Sequence, residues 1–186
     1  GRETVLWTEF TSTFAKSLGL SNTTDSGFQC LRALLNLEPE ETDGNCTVVQ
    51  FGNILKSFGP LKFDHDGLTI LDSIRNVLLM KGFHLRATKN DSEKLLASKP
   101  PGTYLLRFSS EPGAFGMSCV SEKGNVAHFR LKYTPSLGFE YDKQVFGTLD
   151  DFVERVAPVL GLKSVLESLE NPLAHISASY VKSLSN

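Results

Sequence analysis

Residues 103–109 read Thr-Tyr-Leu-Leu-Arg-Phe-Ser and place one arginine inside an otherwise apolar strand. Strand alternation puts Arg107 on the same face as Thr103 and Leu105. A guanidinium in such a strand is costly to bury unless a negative group meets it. Two interpretations follow: Arg107 pairs with an internal carboxylate such as Glu93, or it faces a pocket for a phosphate, which arginine binds through two parallel hydrogen bonds.

The residues that follow this strand favour the phosphate pocket. Ser109 and Ser110 come directly before a turn at 111–113. Their hydroxyl groups and the backbone N–H groups of the turn are donors of the kind that surround a bound anion. The segment therefore predicts a phosphate-binding loop at the end of the strand that carries Arg107.

The second half of the chain alternates short aromatic and branched runs with turn residues. A short amphipathic helix is predicted at 92–97, before these runs. A second helix is predicted to begin after Thr148, a capping residue with an acidic residue three positions later. This order predicts an α+β fold in which a central antiparallel sheet is flanked by two helices. The predicted strands are 103–108, 115–121, 126–133, 139–141 and 145–146, and the predicted turns are 111–113, 123–125 and 135–138.

The strand around Arg107 resembles the signature strand of Src-homology-2 (SH2) domains, in which the arginine binds phosphotyrosine. Residues 100–110 carry this resemblance, and the segment 99–109 is most similar to the STAT branch of the family. Further segments resemble the framework of the family in the same order, so the resemblance covers residues 81–173. These segments are 83–84 with 92–96, 126–131 and 146–153.

This resemblance implies roles for individual residues in binding phosphotyrosine. Arg107 is implied to bind the phosphate, and Ser109 and Ser110 to donate hydroxyl hydrogen bonds to it. Lys89 is implied to present a basic group to the phosphate and the ring, and Arg130 to flank the phosphotyrosine. For Lys89 and Arg130 the alternative is an ordinary solvated surface charge.

Two neighbouring residues have supporting roles in the same resemblance. His128 corresponds to a histidine that supports the pocket in the family, and we expect a buried structural residue rather than a phosphate ligand. Phe129 is implied to line the surface that contacts residues after the phosphotyrosine, which predicts an apolar preference there.

The sequence departs from the family pattern at several positions. Gly82 stands where SH2 domains usually have a tryptophan, and Leu85 replaces a common glycine. Gly116 removes a side chain that often lines the pocket. Residues 138–146 predict a small extra hairpin that STAT domains lack.

Residues 1–80 predict a helical unit, with apolar residues at helical spacing in four stripes. The first stripe runs from Val5 to Leu18, and Gly59-Pro60 ends the third helix. Residues 7–10 and 49–58 resemble the helical linker that precedes the SH2 domain in STAT proteins, a degenerate EF-hand-like arrangement. A similar helical segment precedes the SH2 domain in Cbl-type ligases.

The segment Asp64-His-Asp-Gly67 in this first half resembles part of a calcium-binding loop. With Gly67 as the loop glycine, Asp64 and Asp66 take ligand positions, but Lys62 and Ser73 take the first and last. Two key carboxylates are then missing, so we expect no metal site. Nothing else in the sequence predicts a cofactor.

Net charge, the length of apolar runs and cysteine spacing limit the class to which the protein can belong. The 186 residues carry a net charge of −2, which gives no argument for nucleic acid or a membrane surface as a partner. No apolar run approaches the roughly 20 residues of a membrane helix. Three cysteines without metal-ligand spacing (30, 46 and 119) fit a reducing compartment. We therefore expect a cytoplasmic location, with the nucleus as the alternative.

Together these features predict a helical linker at 1–80, an SH2 domain at 81–173 and a tail at 174–186, with a further helix near 162–170. The predicted function is phosphotyrosine-dependent binding of a peptide or protein in intracellular signalling, without catalysis. The sequence shows no motif that combines a catalytic nucleophile with a general base, and it has no phosphate-binding loop of the GxxxxGK type, so it gives no argument for an enzyme. The alternative is a structural scaffold with a vestigial phosphate pocket, in which Arg107 is paired internally.

Overall fold

The computed structural model describes residues 4–23, 26–37, 44–62, 68–134 and 137–169. The chain divides into two compact units. The first comprises the described residues up to Leu55 together with Gly59–Leu79, and the second comprises Lys56–Phe58 and the described residues from Met80 onward. Among the described residues, no helix combines the length and apolar character needed to cross a membrane.

The first unit is built from helices and two short strands. Its elements are β1 (Thr4–Leu6), α1 (Trp7–Leu18), α2 (Ser26–Leu34), β2 (Asn45–Thr47), α3 (Val48–Phe58, whose last residues belong to the second unit) and α4 (Ile70–Leu78). Local signals fix the helix ends: α1 ends at Gly19, where φ is 76°, and Thr47 begins α3 through a capping box with Gln50. Helix α2 packs against α4, and Leu31, Ile70 and Ile74 are fully buried.

The start of the first unit differs from the prediction. Val5 and Leu6 were expected on the first helix, but they lie in β1, which pairs antiparallel with β2 and sets Val5 opposite Cys46. The helix begins only at Trp7, whose N–H donates to the Gly44 carbonyl at 2.8 Å. The backbone N–H and C=O groups of β1 thus hydrogen-bond to a segment some forty residues away, and they are not available for a longer helix.

Several predicted features fall outside the described residues. These are most of the loop at 38–45, the candidate calcium loop at 64–67, part of the turn at 135–138, and the tail at 174–186.

In its described residues, the second unit contains one mixed sheet and two helices. Its elements are β3 (Phe83–His84), α5 (Lys89–Leu96), β4 (Thr103–Phe108), β5 (Ala114–Val120), β6 (Val126–Thr134), β7 (Gly138–Tyr141), β8 (Gln144–Phe146), α6 (Leu149–Leu160) and β9 (Ser164–Val165). The strand order is β3-β4-β5-β6-β7-β8, and the run from β4 to β8 is an antiparallel meander. This confirms the predicted α+β fold, including the 138–146 hairpin.

The outer edge of β4 carries two parallel strands that the sequence did not predict. Strand β3 pairs with the end of β4 and β9 with its beginning. The helix expected near 162–170 is wrong over the described residues, because the chain returns along β4 after Gly161 ends α6. The N–H of Leu166 donates to the Tyr104 carbonyl at 2.7 Å, so this backbone completes the sheet edge instead of coiling.

This returning segment accounts for one departure from the SH2 pattern. Gly82 is buried, and a Cβ atom there would collide with Cγ2 of Val165. The imidazole of His84 then contacts the Leu166 carbonyl at 2.9 Å. The glycine therefore provides the space through which the last described residues pack against the start of the unit.

The core of the second unit fixes the face on which the site lies. Leu105 of β4 packs with Leu96 of α5 and Val120 of β5, and each is at most 3% exposed. Since Leu105 and Arg107 are two residues apart on β4, the same face carries both. Helix α6 packs through Phe152, whose ring lies 5.3 Å from that of Phe146.

Candidate functional site

Arg107 lies on β4 between two register partners, His84 of β3 and Gly116 of β5. Its side chain is largely enclosed, with 7% of the residue exposed. A Cβ atom on Gly116 would lie only 3.0 Å from Cζ and Nη1 of Arg107. The guanidinium therefore occupies space that exists because residue 116 has no side chain.

Among the described residues, the guanidinium of Arg107 has two hydrogen-bond acceptors. Nη1 donates to the Phe108 carbonyl at 2.9 Å, and Nε lies 3.4 Å from Oγ of Ser118. Over the described ranges, no carboxylate forms an ion pair with Arg107, and Glu93 bonds His128 instead. Burial lowers the pKa of Arg107, because the charged form loses hydration. An anion that enters the site would compensate for that loss.

A chain of hydrogen bonds leads from Arg107 to helix α5. Ser118 Oγ lies 2.8 Å from Nδ1 of His128, and Nε2 of His128 lies 3.1 Å from Oε1 of Glu93. If Ser118 accepts from Arg107, its single hydroxyl proton points to Nδ1, and the neutral ring then donates from Nε2 to Glu93. The chain thus orients Arg107 through its Nε atom and gives the donors of Ser118 and His128 an acceptor each.

The protonation of His128 follows from the same surroundings. Burial lowers the pKa of His128, the hydrogen bond to Glu93 opposes this shift, and the charges of Lys89 and Arg107 add to the lowering. The net effect favours the neutral imidazole that the hydrogen-bond chain requires.

The loop after β4 brings an acidic side chain to the site. Its hydrogen bonds run from the N–H of Glu111 to Oγ of Ser109 at 3.3 Å, and from the N–H of Ala114 to the Glu111 carbonyl at 3.1 Å. The side chain of Glu111 reaches β6 and pairs with Arg130 at 2.8 Å. Both partners of this ion pair are more than 60% exposed.

Helix α5 places a lysine beside these groups. Thr88 caps the helix by accepting from the N–H of Asp91 at 3.1 Å, while Asp91 accepts from the backbone N–H of Thr88. This reciprocal arrangement fixes Lys89 at the first position of the helix. The hydrogen bonds from Thr88 also hold the pKa of Asp91 below its usual range.

These elements surround a cavity of about 420 Å³. We call it the cationic cavity, because four of the residues that line it are basic and none is acidic. All six residues predicted for the phosphotyrosine site, with His128 as its supporting residue, line the cavity, together with Phe129. The lining comprises residues 85–89, 107–110, 115–116 and 128–130. Across the described residues, no cluster of His, Cys, Asp and Glu side chains could hold a metal ion.

The comparisons with known proteins agree with this geometry. Residues 83–155 match the family model described as SH2 domain, a range that contains the cationic cavity. The chain contains an SH2 domain. Such domains are phosphotyrosine-binding modules of signalling proteins, and this is the function of the second unit.

Relatives of the SH2-containing chain include kinases and an adapter. The dual specificity protein kinase shkB of Dictyostelium discoideum is 31% identical over 170 residues, which are 90% of this chain and 25% of the kinase. A human protein described as a dual adapter for phosphotyrosine and 3-phosphotyrosine and 3-phosphoinositide is 34% identical over 94 residues, covering 48% of this chain and 33% of that protein. The chain therefore spans about a quarter to a third of the length of these relatives.

Among solved structures of similar fold is one whose match covers the whole chain. The inactive choanoflagellate E3 ubiquitin ligase Cbl TKB has a TM-score of 0.52 at 18% identity, and the match covers 100% of this chain and 51% of that one. At this identity the likeness concerns the fold alone.

The structure adds residues that the sequence did not assign to the SH2 site. Arg86 and Thr88 line the cationic cavity. Ser118 joins Arg107 to His128, and Glu93 bonds His128 and not Arg107. Alternation on β5 could have indicated Ser118, since it lies two residues from Gly116 on the same face.

Phe129 begins a row of aromatic rings on one side of the cationic cavity. Its ring centroid lies 6.0 Å from that of Tyr141, which lies 5.6 Å from that of Phe152. Both contacts have edge geometry, which aromatic pairs favour. The row joins the cavity to the base of α6.

Proposed function

We propose that the cationic cavity binds the phosphotyrosine side chain of a partner protein and that Arg107 is its main phosphate ligand. The observation that supports this most directly is a nearly buried guanidinium without a carboxylate partner among the described residues. Such a group is costly to bury unless an anion meets it. The phosphate of the ligand is that anion.

The surrounding groups suit a phosphate. A phosphotyrosine carries about −1.5 to −2 charges near neutral pH and three acceptor oxygens. In the proposed complex Ser109 and Ser110 donate hydroxyl hydrogen bonds, and Lys89 and Arg130 contribute charge from the two sides of the cavity. Each hydrogen bond to such a charged group contributes about 1.5–3 kcal/mol. Because Arg107 lies at the base of the cavity, the shorter side chain of phosphoserine does not reach it.

His128 supports this site without touching the phosphate. It holds Ser118, which in turn contacts Arg107, and it is itself held by Glu93. Phe129 is proposed to contact residues that follow the phosphotyrosine, with an apolar preference that its aromatic neighbours support.

The experiment is a titration of the whole chain with phosphotyrosine peptide pools, followed by fluorescence polarisation. Unphosphorylated and phosphoserine pools are the controls. We expect phosphotyrosine-only binding, and Arg107→Ala should weaken it at least about tenfold, given the energy of one charged hydrogen bond. Lys123→Gln, an exposed charge in the β5–β6 turn, is the matched control and should bind as the wild type.

The scaffold alternative makes the opposite prediction. If folded wild-type protein binds no phosphotyrosine pool, while Arg107→Ala lowers the melting temperature, the arginine is structural and the proposed function is wrong. A melt of each variant separates a loss of binding from a loss of folding.

We further propose that this chain acts by binding a tyrosine-phosphorylated protein in the cytoplasm, without nucleic acid, membrane or cofactor. The word kinase in the relatives' names describes those longer proteins, of which this chain spans only part. The first unit is proposed to be a STAT-like or EF-hand-like linker. Its supporting observation is that β1 and β2 pair, each directly before a helix.

A further inference from the structure

The loop between β4 and β5 is supported by a residue from outside the sheet. We call residues 109–113 the phosphate loop, because the two proposed serine donors lie in it. Phe108 and Phe115 are register partners at its two ends, and both line the cationic cavity. The buried ring of Phe58 packs edge-on against both, with its centroid 5.9 Å from that of Phe108 and 5.8 Å from that of Phe115. One side chain thus contacts the strand residues on both sides of the phosphate loop.

Phe58 belongs to a short segment that packs within the second unit. This segment, Lys56–Phe58, contains the last residues of α3. Its backbone also meets the phosphate loop, since a Cβ atom on Gly113 would lie 3.1 Å from the Lys56 carbonyl oxygen. The segment therefore contacts the loop at two places, through a ring at one and through backbone at the other.

The contact between Phe58 and Phe108 also affects Arg107. The Phe108 carbonyl accepts from Nη1 of Arg107 at 2.9 Å. The next residue, Ser109, donates its N–H to the Ala114 carbonyl at 3.0 Å, which closes the loop. Because a packed interior leaves little free space, a displaced Phe108 ring moves these backbone groups with it. The position of this ring therefore influences both the direction of the guanidinium and the start of the phosphate loop.

We infer that Phe58 is a positioning residue of the phosphotyrosine site, because its ring holds Phe108 and Phe115 and, through them, the phosphate loop. This inference rests on the proposed function, in which Arg107 and the loop serines bind the phosphate. Phe58 is not among the residues that line the cavity, so it acts through its neighbours. A smaller side chain leaves an empty volume behind the loop, into which the two rings relax. The loop then loses the geometry that binds a phosphate while the fold is kept.

The test compares Phe58→Ala and Phe58→Leu in the whole chain with the same two substitutions at Phe146. Phe146 is the matched control, because it is 1% exposed, packs edge-on against Phe152 and does not line the cavity. Binding of one phosphotyrosine peptide is followed by fluorescence polarisation. Phenyl phosphate, which has no flanking residues, is then titrated as a competitor. A thermal melt of each variant sets the temperature below which it is folded.

We expect the affinity for the peptide to fall about fivefold in Phe58→Ala, which corresponds to the loss of part of one charged hydrogen bond. Phe58→Leu fills most of the space and should recover most of the affinity. Phenyl phosphate should weaken by the same factors as the peptide, because the loss lies at the phosphate. The Phe146 variants should lower the melting temperature by a similar amount and bind phenyl phosphate as the wild type does.

A double-mutant cycle checks that Phe58 acts through the phosphate loop. If the loop carries the effect, Phe58→Leu should weaken phenyl phosphate less in a Ser110→Ala protein than in the wild type. Combination with Lys89→Gln is the control, since Lys89 lies on α5, and these two effects should add.

Three results would overturn the inference: wild-type binding of phenyl phosphate by the folded Phe58 variants, an equal loss in the Phe146 variants, or strict additivity of Phe58→Leu with Ser110→Ala. If Phe58→Ala does not fold, Phe58→Leu decides the first two. The wild type still binds in each case, so the proposed function stands. If the folded wild type does not bind the phosphotyrosine peptide, the proposed function fails and this inference fails with it.

Discussion

Gly116 lies directly opposite Arg107 across the β4–β5 pair, and its missing side chain leaves the space that the guanidinium fills. The two residues are register partners, and a Cβ atom on Gly116 would lie 3.0 Å from Nη1 of Arg107. This separation is shorter than an ordinary van der Waals contact, so even a methyl group would displace the guanidinium by a few tenths of an ångström. The glycine is therefore part of the proposed phosphate site, because it leaves room for the guanidinium that would bind the phosphate.

We expect Gly116→Ala to weaken phosphotyrosine-peptide binding about fivefold, which corresponds to about 1 kcal/mol lost from charged hydrogen bonds. The backbone needs no glycine here, because Gly116 does not have a positive φ. Folding should therefore change little, as a thermal melt will show. Gly147→Ala is the control, because a Cβ there meets nothing within 4 Å. Wild-type affinity in Gly116→Ala would show that Arg107 does not depend on this space.

Local signals account for what the sequence could predict of the fold. Strand β4 was predicted with the bounds that the structure has, because its short run of aromatic and branched residues is followed directly by turn residues. Thr148 was predicted to begin a helix, and its side chain does accept from the N–H of Asp151 at 3.0 Å. Strand β9 could not be predicted this way, since its pairing with β4 joins residues about sixty positions apart. Non-local pairing there overrides a locally amphipathic pattern.

The residues of the candidate site also divide into those that a local motif predicts and those that depend on pairing between distant segments. Ser109 and Ser110 were predicted from one contiguous motif with Arg107, and the structure places all three on the cavity. The contact between Ser118 and His128 depends on the register between β5 and β6, in which these two residues are direct partners. Register is not readable from either strand alone, so the support of Arg107 by His128 needed the structure.

Gly82 gives a prediction about stability. We expect Gly82→Ala to lower the free energy of unfolding by about 1–3 kcal/mol, because the new methyl group collides with Val165 and overpacks the contact. Val165→Ala removes the colliding Cγ2 atom, so the double variant should be more stable than the sum of the two single effects predicts. Urea unfolding of the four proteins measures this coupling. Strictly additive effects would mean that the two residues do not meet in solution.

His128 gives a prediction about pH. Its pKa is lowered mainly by burial, so the folded protein takes up a proton on His128 less readily than the unfolded chain, whose imidazole titrates near about 6.5. As the pH falls through that value, the unfolded state is protonated first and the free energy of unfolding decreases. The decrease continues down to the lowered pKa of the folded state. Above about pH 6.5 this contribution is fully present.

His128→Gln should remove this part of the pH dependence. Urea unfolding of both proteins at about pH 7.5 and about pH 5.5 gives the change in the free energy of unfolding with pH for each of them. The difference between these two changes isolates the contribution of residue 128 from that of the other histidines. An NMR titration of the His128 ring gives the pKa directly. If both proteins lose stability equally on acidification, the lowered pKa of His128 is not the cause.

The ion pair between Glu111 and Arg130 gives a prediction about affinity. A bound phosphate must compete with the Glu111 carboxylate for Arg130, at present 2.8 Å away. Glu111→Gln removes the competing charge and keeps the backbone hydrogen bonds of residue 111 that shape the loop. Because both side chains are exposed, we expect phosphopeptide affinity to rise only about two- to fivefold.

Glu122→Gln controls for the change in net charge, since residue 122 is exposed in the β5–β6 turn and does not line the cavity. Both variants become less negative by one charge, so any long-range effect on an anionic peptide appears in both. The gain specific to Glu111→Gln should decrease as salt screens the exposed pair. If Glu111→Gln binds no more tightly than Glu122→Gln, the carboxylate does not compete for Arg130. If it binds more weakly than the wild type, the ion pair holds Arg130 in its binding position.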